Sequence, residues 1–523
     1  MEEKKFQPYI PADKVVPEFT VFSVILGALL AVLFGGANAY LGLRVGMTVS
    51  ASIPAAVISM GVIRFIFKRD SILENNMVQT IGSAGESLAA GAIFTMPALF
   101  MWAADGLCDM PSLIDIGLIA LCGGVLGVLM MIPLRSALIV KEHGTLGYPE
   151  GTACAEVLMA GEEGGAKAST VFCGLGIAAA YKFVADGLKL FPSEVDWSIP
   201  AYKGSGFGVD VLPALAGVGY ICGPRISSYM FAGSTIAWFV LMPMIALFGS
   251  DLVIYPATVS VAELWASGGT WSLWSSFIRY IGAGALAAGG IISLIKSLPM
   301  IIRTFAAAFK DYGKGGTGTL RTEQDISLKV VLVACLAIAV VMWLFPGIPV
   351  SLIGAILYLL NAAWGFGSEE LGAPQAMMMK MVIEGVMGGE MPWALVFTGV
   401  FIAVAIEILG LPVLPVAIGM YLHIHLNAGI MLGGLVRLFV EKRNYASEKE
   451  KTDSIQSGIL YTSGMIAGEG VVGILLAVFA VLNINTDISG VINLGNIGGL
   501  VFFALLLLSI VFFCNKGRKT AKN

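Results

Sequence analysis

Charge is what this sequence has least of. Only 13% of its 523 residues are Asp, Glu, Lys or Arg, while 57% are hydrophobic and the mean hydropathy is +0.86. A soluble chain of this length needs far more charge to cover its surface, so most of this surface meets lipid. The net charge of −4 says little, because charge position matters more than the sum; no nucleic-acid partner is expected. Cysteine pairs are missing too. The seven cysteines stand singly at 108, 122, 154, 173, 222, 335 and 514, without the C-x-x-C spacing of a zinc or redox site. With no H-E-x-x-H and no Walker A sequence, metallopeptidase chemistry and direct ATP coupling lack a motif. "GKGGTG" (Gly313–Gly318) fits G-x-G-x-x-G by letter but lies in a charged loop without a preceding strand, and reads as a linker. Alternating ten-residue segments are also missing, which excludes a transmembrane barrel. No cofactor and no metal is expected.

What the chain does have is long apolar runs. A helix crosses about 30 Å of hydrocarbon with roughly 20 apolar residues. Phe19–Leu43, Gly46–Phe67, Leu113–Leu134, Phe231–Phe248, Ile326–Phe345 and Asn493–Phe513 meet that length. With weaker segments the expectation is an all-α, polytopic integral membrane protein of about 13 transmembrane or re-entrant helices. Cations in the C-terminus "CNKGRKTAKN" and in the loops Phe309–Asp325 and Val440–Asp453 place both termini in the cytoplasm of a cell whose inner membrane holds the chain.

Glycine is abundant, at 65 residues. Most of these glycines serve close helix packing. Where they accompany proline or polar side chains inside apolar runs, the helix is expected to break around a cavity. Four stretches fit. Asn75–Pro97 holds Asn75, Asn76, Gln79 and Glu86. Lys141–Gly164 holds Glu142, His143, Glu150 and Glu156. Ala373–Leu395 holds Gln375, Glu384 and Glu390. Leu411–Arg437 holds Pro412, Pro415, His423, His425 and Asn427. Carboxylates and amides are too costly to face lipid. The first stretch is therefore expected as a re-entrant hairpin in a polar cavity, with the first three stretches converging there. His423 and His425, two apart, do not share a helix face; only a broken segment aims both at one point. Ordinary hydrogen bonding is preferred to metal ligation for them. Arg44 and Arg64 read as interface anchors; Arg225, after "CGP", is kept as a candidate site cation.

"GGANAYLGLRVGMTVSASIPAAVI" (35–58), "NNMVQTIGSAGESLAAGAIFTMPAL" (75–99), "PLRSALIVKEHGTLGYPEGTACAEVL" (133–158), "GPRISSYMFAGS" (223–234), "PQAMMMKMVIEGVMGGEMPWALV" (374–396) and "GLPVLPVAIGMYL" (410–422) resemble the oligopeptide transporter (OPT) family, in its prokaryotic branch, related to the yellow stripe-like metal-chelate transporters. The resemblance covers nearly the whole chain. It implies a two-halved secondary transporter of about sixteen spans, thought to be proton-coupled, moving small peptides or metal–chelator complexes. A central segment of the prokaryotic pattern is missing. Residues 346–356 run directly into 357–367, so the join near Ile356–Leu357 reads as an internal deletion of roughly a hundred residues, several helices' worth. The expected organisation is a cytoplasmic tail at 1–18, transporter segments at 19–356 and 357–514, and a cytoplasmic tail at 515–523.

On this reading the chain is not an enzyme, and its partners are a small peptide or metal chelate, protons and membrane lipid; self-association into a homo-oligomer is left open. Substrate contacts are expected at Asn75, Asn76, Gln79, Glu86, Glu150, Glu156, Arg225, Gln375 and Glu384, and proton coupling at Glu86, Glu142 or His143. A channel, a membrane-embedded enzyme and an inactive truncated relative are the alternatives.

Overall fold

A computed structural model describes residues 8–45, 48, 51–65, 71–135, 139, 151, 154–155, 158–159, 166–199, 201–312, 326–344, 352–366, 368, 371, 373, 376–377, 379–380, 383–384, 391–482 and 484–520. Glu142, His143, Glu150, Glu156, Gln375 and Glu390 lie outside them, as does most of the second polar stretch.

The first helix, α1 (Val21–Val45), shows how this composition folds. Val21, Ile25, Leu29 and Val32 form an exposed apolar stripe, while Leu30, Phe34, Ala37, Leu41 and Tyr40 are buried. Both faces are apolar because one meets lipid and the other meets helices. The chain continues as α2 (Ser52–Phe65), α3 (Ile72–Ile93), α4 (Met96–Ala104), α5 (Leu113–Arg135) and α6 (Ala166–Lys182). A hairpin of β1 (Glu194–Ser198) and β2 (Gly206–Asp210) follows, then α7 (Pro213–Ile236), α8 (Met242–Phe248), α9 (Val261–Leu273), α10 (Arg279–Tyr312), α11 (Leu328–Leu344) and α12 (Leu352–Trp364). The last five helices are α13 (Trp393–Ile408), α14 (Val413–Tyr421), α15 (Ile424–Glu441), α16 (Glu448–Val481) and α17 (Gly495–Thr520). Serine caps set several starts. The Ser71 hydroxyl accepts from the Glu74 N–H, and Ser260 forms a reciprocal capping box with Glu263.

The chain is a polytopic, all-α membrane protein. Among the described residues, eight helices are long and apolar enough to cross a membrane, with shorter apolar helices at Pro54–Ile63, Lys329–Val340 and Trp393–Ile408. Among the described residues, the run 46–67 contains the 14-residue α2 and the run 326–345 the 17-residue α11. The tail expected at 515–523 is helical through Thr520, although the apolar span ends at Asn515.

The first polar stretch is not a hairpin. It forms the unbroken 22-residue α3, which continues with α4 as one span, Ile72–Ala104. Breaks do occur elsewhere. Gly223 takes φ 82° before Pro224 and interrupts α7, a break outside the four stretches where one was expected. Leu422 and His423 are extended, separating α14 from α15. The Ile356–Leu357 join lies inside α12, and Leu357 and Leu360 are fully buried beside α1 and α3 residues.

Glycine sets how closely the helices approach. A Cβ at Gly219 of α7 would lie 1.9 Å from the Ile430 carbonyl oxygen of α15, and one at Gly433 of α15 would lie 2.1 Å from the Ala216 oxygen of α7. The pair meets backbone to backbone, the contact small residues allow in membranes.

Candidate functional site

Several of the ionisable residues buried in this lipid-bound fold converge. Helix α6 ends in a π-helical turn, Phe183–Gly187, which carries Asp186 one turn beyond Lys182. Lys182 is fully buried, forms an ion pair with Asp186 and lies 3.5 Å from Glu469 of α16. Glu469 also accepts the Ala214 N–H at 2.6 Å, at the start of α7 where the helix dipole favours an anion. From α1, Arg44 reaches Asp186 at 3.9 Å and Glu194 at 3.6 Å, while its Nη1 donates to the Tyr40 hydroxyl at 3.4 Å. The Lys182 ammonium sits 5.4 Å from the centre of the Tyr40 ring.

The hairpin supplies further carboxylates. Its register pairs Glu194 with Asp210 and Asp196 with Gly208, so these positions share one face. The other face is apolar, with Val195 and Val209 in the core and Trp197 stacked on Phe207 at 5.8 Å. Burial and the nearby Glu194 charge push the Asp210 carboxyl up to about 7.

Arg44, Lys182, Asp186 and Glu194 line a cavity of about 720 Å³ with Tyr40 and Trp364; Asn485, Thr486, Asp487, Asn493 and Asn496 add polar groups. This volume is in the range of small-molecule sites. The Arg44 contacts to carboxylates are single and long, so the guanidinium fork can still take a ligand carboxylate. Asp186 and the half-exposed Glu194 can take an ammonium group. Buried ionisable groups in a membrane protein are costly and mark candidate ligand or ion paths.

A second cluster adjoins the hairpin. His425 contacts Asp196 through Nε2 and His423 through Nδ1, and the two rings stack with centroids 4.2 Å apart. Asn427 donates to the Ser234 hydroxyl at 2.7 Å, tying α15 to α7. No group of three or more metal-ligating side chains occurs among the described residues.

The sequence-derived candidates stand elsewhere. None of Asn75, Asn76, Gln79, Glu86, Arg225 or Glu384 lines the cavity. Buried Asn75 accepts from Ser59 at 2.7 Å, Asn76 is exposed, and Gln79 accepts from Thr80 at 3.3 Å. Glu86 accepts the Ala51 N–H at 3.0 Å, where α2 begins, which is the geometry of a helix cap. Exposed Arg225 donates to Tyr229 at 3.4 Å, and Glu384 accepts from Trp102 at 2.8 Å beside Lys380. The signal that could have found the cavity was present. Lys182 and Asp186 are four apart in "AAAYKFVADGLKLF", and Glu469 is isolated in "MIAGEGVVGILLAVF". Lone ionisable residues in apolar runs are site candidates by default.

Known proteins are similar to this chain in sequence, one of them over most of its length. A Haemophilus influenzae protein described as "Putative oligopeptide transporter" is 25% identical over 656 aligned positions, which span 92% of this chain and all of the relative. That alignment is longer than the chain itself. Two rice (Oryza sativa subsp. japonica) proteins are 26% identical. "Probable metal-nicotianamine transporter YSL14" matches over 348 residues, 58% of this chain and 45% of the relative. "Probable metal-nicotianamine transporter YSL17" matches over 198 residues, 35% of this chain and 26% of the relative. The model described as "OPT oligopeptide transporter protein" matches residues 18–366 and again 350–480, and the chain belongs to that family of membrane transporters.

Proposed function

We propose that this protein is a secondary transporter of a small solute that carries both charges, an oligopeptide or a peptide-like metal chelate, and that the Arg44–Lys182–Asp186–Glu194 cavity binds it. The observation that carries the reading is the pairing of two cations with opposed carboxylates on one polar cavity inside an otherwise apolar fold. A peptide presents a carboxylate to Arg44, an ammonium to Asp186 or Glu194, and amides to the asparagine-rich rim. A chelate presents several carboxylates to the same cations. The names of the relatives support both solute classes.

Transport is driven by protons on this reading, and the chain sits in the cell's inner membrane with both termini cytoplasmic, as its cation distribution suggests. The junction near Ile356–Leu357 is an internal deletion. The two family matches overlap at 350–366, across that point, and the alignment to the bacterial relative exceeds the chain's length. A continuous α12 closes the gap, so the remaining helices still enclose a cavity.

Thermal unfolding of the detergent-purified protein with di- and tripeptides and with iron–nicotianamine tests this reading. A true ligand at 100 times its Kd adds about 2.7 kcal/mol. Stabilisation by a member of the panel that vanishes in Arg44→Gln supports it; no stabilisation by any member counts against it.

A further inference from the structure

The histidine pair exists because the helix breaks. Leu422 and His423 have ψ near 150°, so the chain turns between α14 and α15 and places two side chains on one spot that a continuous helix would separate. His425 uses both nitrogens, Nε2 with Asp196 Oδ1 and Nδ1 with His423 Nδ1. Gly208 makes room for this. It lies across the hairpin from Asp196, and a Cβ there would sit 1.9 Å from His425 Nε2.

The two ends of the chain of contacts differ. Asp196 has 72% of its side chain exposed, while His425 has 5%. At the inner end, His423 Nε2 is buried without a hydrogen-bond partner. Trp238 at 4.4 Å, Trp271 at 5.0 Å and Trp274 at 5.4 Å wall the His423 ring. Trp238 and Trp274 ride on π-helical turns, which recur at functional sites.

We propose that Asp196, His425 and His423 form a proton wire from the exposed hairpin to a buried terminus at His423 Nε2, and that it carries the proton coupled to transport. The inference rests on the transport reading only for its last clause. A proton from water binds the Asp196 carboxylate and passes to His425 Nε2. His425 releases its Nδ1 proton to His423 Nδ1, and His423 becomes the imidazolium. One proton enters and one is held, and only O–H and N–H bonds change. Release from His423 Nε2 leaves both rings as the opposite tautomers, and proton exchange with water, one N–H lost and the other gained on each ring, restores the starting ones. Like charges on adjacent rings exclude double protonation, so the pair holds one added proton at a time. The charges facing His425 are Asp196, Glu194 and Asp210. The cation facing the His423 cage is Arg279, which lies 5.9 Å from the Trp274 ring. Indole rings favour a cation held among them.

The chain has three histidines, so imidazole-¹⁵N labelling of the purified protein gives a readable spectrum, and His143→Gln leaves only this pair. The measurement is N–H exchange with water at His423 and His425, with no solute present. Relay through Asp196 predicts that Asp196→Asn slows exchange at both rings by about a hundredfold, the size of a lost general acid–base. It also predicts that His425→Gln slows exchange at His423. A purely structural pair behaves oppositely: removing a hydrogen-bond partner leaves exchange unchanged or faster, and that result overturns the wire. Because no solute is involved, the outcome does not depend on the transport reading. If the wire holds and counterflow of every candidate solute fails, only the coupling clause falls.

Discussion

Lys182 and Glu469, on helices far apart in sequence, face each other at 3.5 Å with both side chains at most 2% exposed. Each is a charge that could not stand alone in this environment, and Lys182, held by Glu469 and Asp186, lines the proposed site. Removing one partner from a buried pair costs about 3–5 kcal/mol, because the other is left uncompensated. Lys182→Met therefore lowers stability by roughly that amount in detergent unfolding. The double variant Lys182→Met/Glu469→Gln recovers much of the loss without recovering ligand binding. A double variant no more stable than Lys182→Met contradicts the pairing.

Asp210 gives a pH signature with a definite sign. Its carboxyl is raised to about 7 by burial and by Glu194, so the folded protein holds a proton there that the unfolded chain releases near 4. The contribution is fully present below pH 4 and is lost as pH rises through 7. Wild-type stability should fall across that window more steeply than that of Asp210→Asn. Parallel stability profiles for the two proteins would remove Asp210 from the account.

Close helix approach makes Gly433 intolerant. The Cβ of Gly433→Ala meets the Ala216 carbonyl oxygen at 2.1 Å, and backbone on both helices must move apart. Overpacking of this kind costs about 1–3 kcal/mol. Gly290, with open space around it, is the control, and Gly290→Ala should leave the melting temperature unchanged.

Glu86 separates capping from coupling. Glu86→Gln keeps a carbonyl oxygen for the Ala51 N–H, so stability changes little, whereas Glu86→Leu loses the cap and about 1 kcal/mol. Glu86→Gln reconstituted in vesicles should retain its pH-driven accumulation of solute. Loss of accumulation with exchange intact would return the coupled proton to Glu86.

The class of fold was legible because lipid imposes one-dimensional rules: apolar length names the helices, and the proline- and polar-rich stretch Leu411–Arg437 was expected to break, as it does at Leu422–His423, whereas the break at Gly223 was not foreseen. Polar content inside α3 was legible as unusual, but not its outcome. Asn75 and Glu86 find partners in Ser59 and Ala51 of the neighbouring segment, so α3 has no need to break. The cavity was hidden for a different reason. Arg44, Lys182 and Glu194 come from three separate segments; Lys182 is a lone charge in an apolar run, but nothing in the sequence joins it to the other two. Only packing brings them together. The hairpin was invisible against the helical pattern, since ten strand residues carry little periodic signal.

Counterflow in proteoliposomes addresses the central claim most directly. Vesicles loaded with an unlabelled tripeptide or iron–nicotianamine are diluted into the labelled compound, without any proton gradient. The account predicts transient, saturable accumulation for at least one of these by the wild type, and its loss in Arg44→Gln, whose side chain cannot form the guanidinium fork. Equal counterflow by both proteins, or none with any probe, would contradict a substrate site at Arg44.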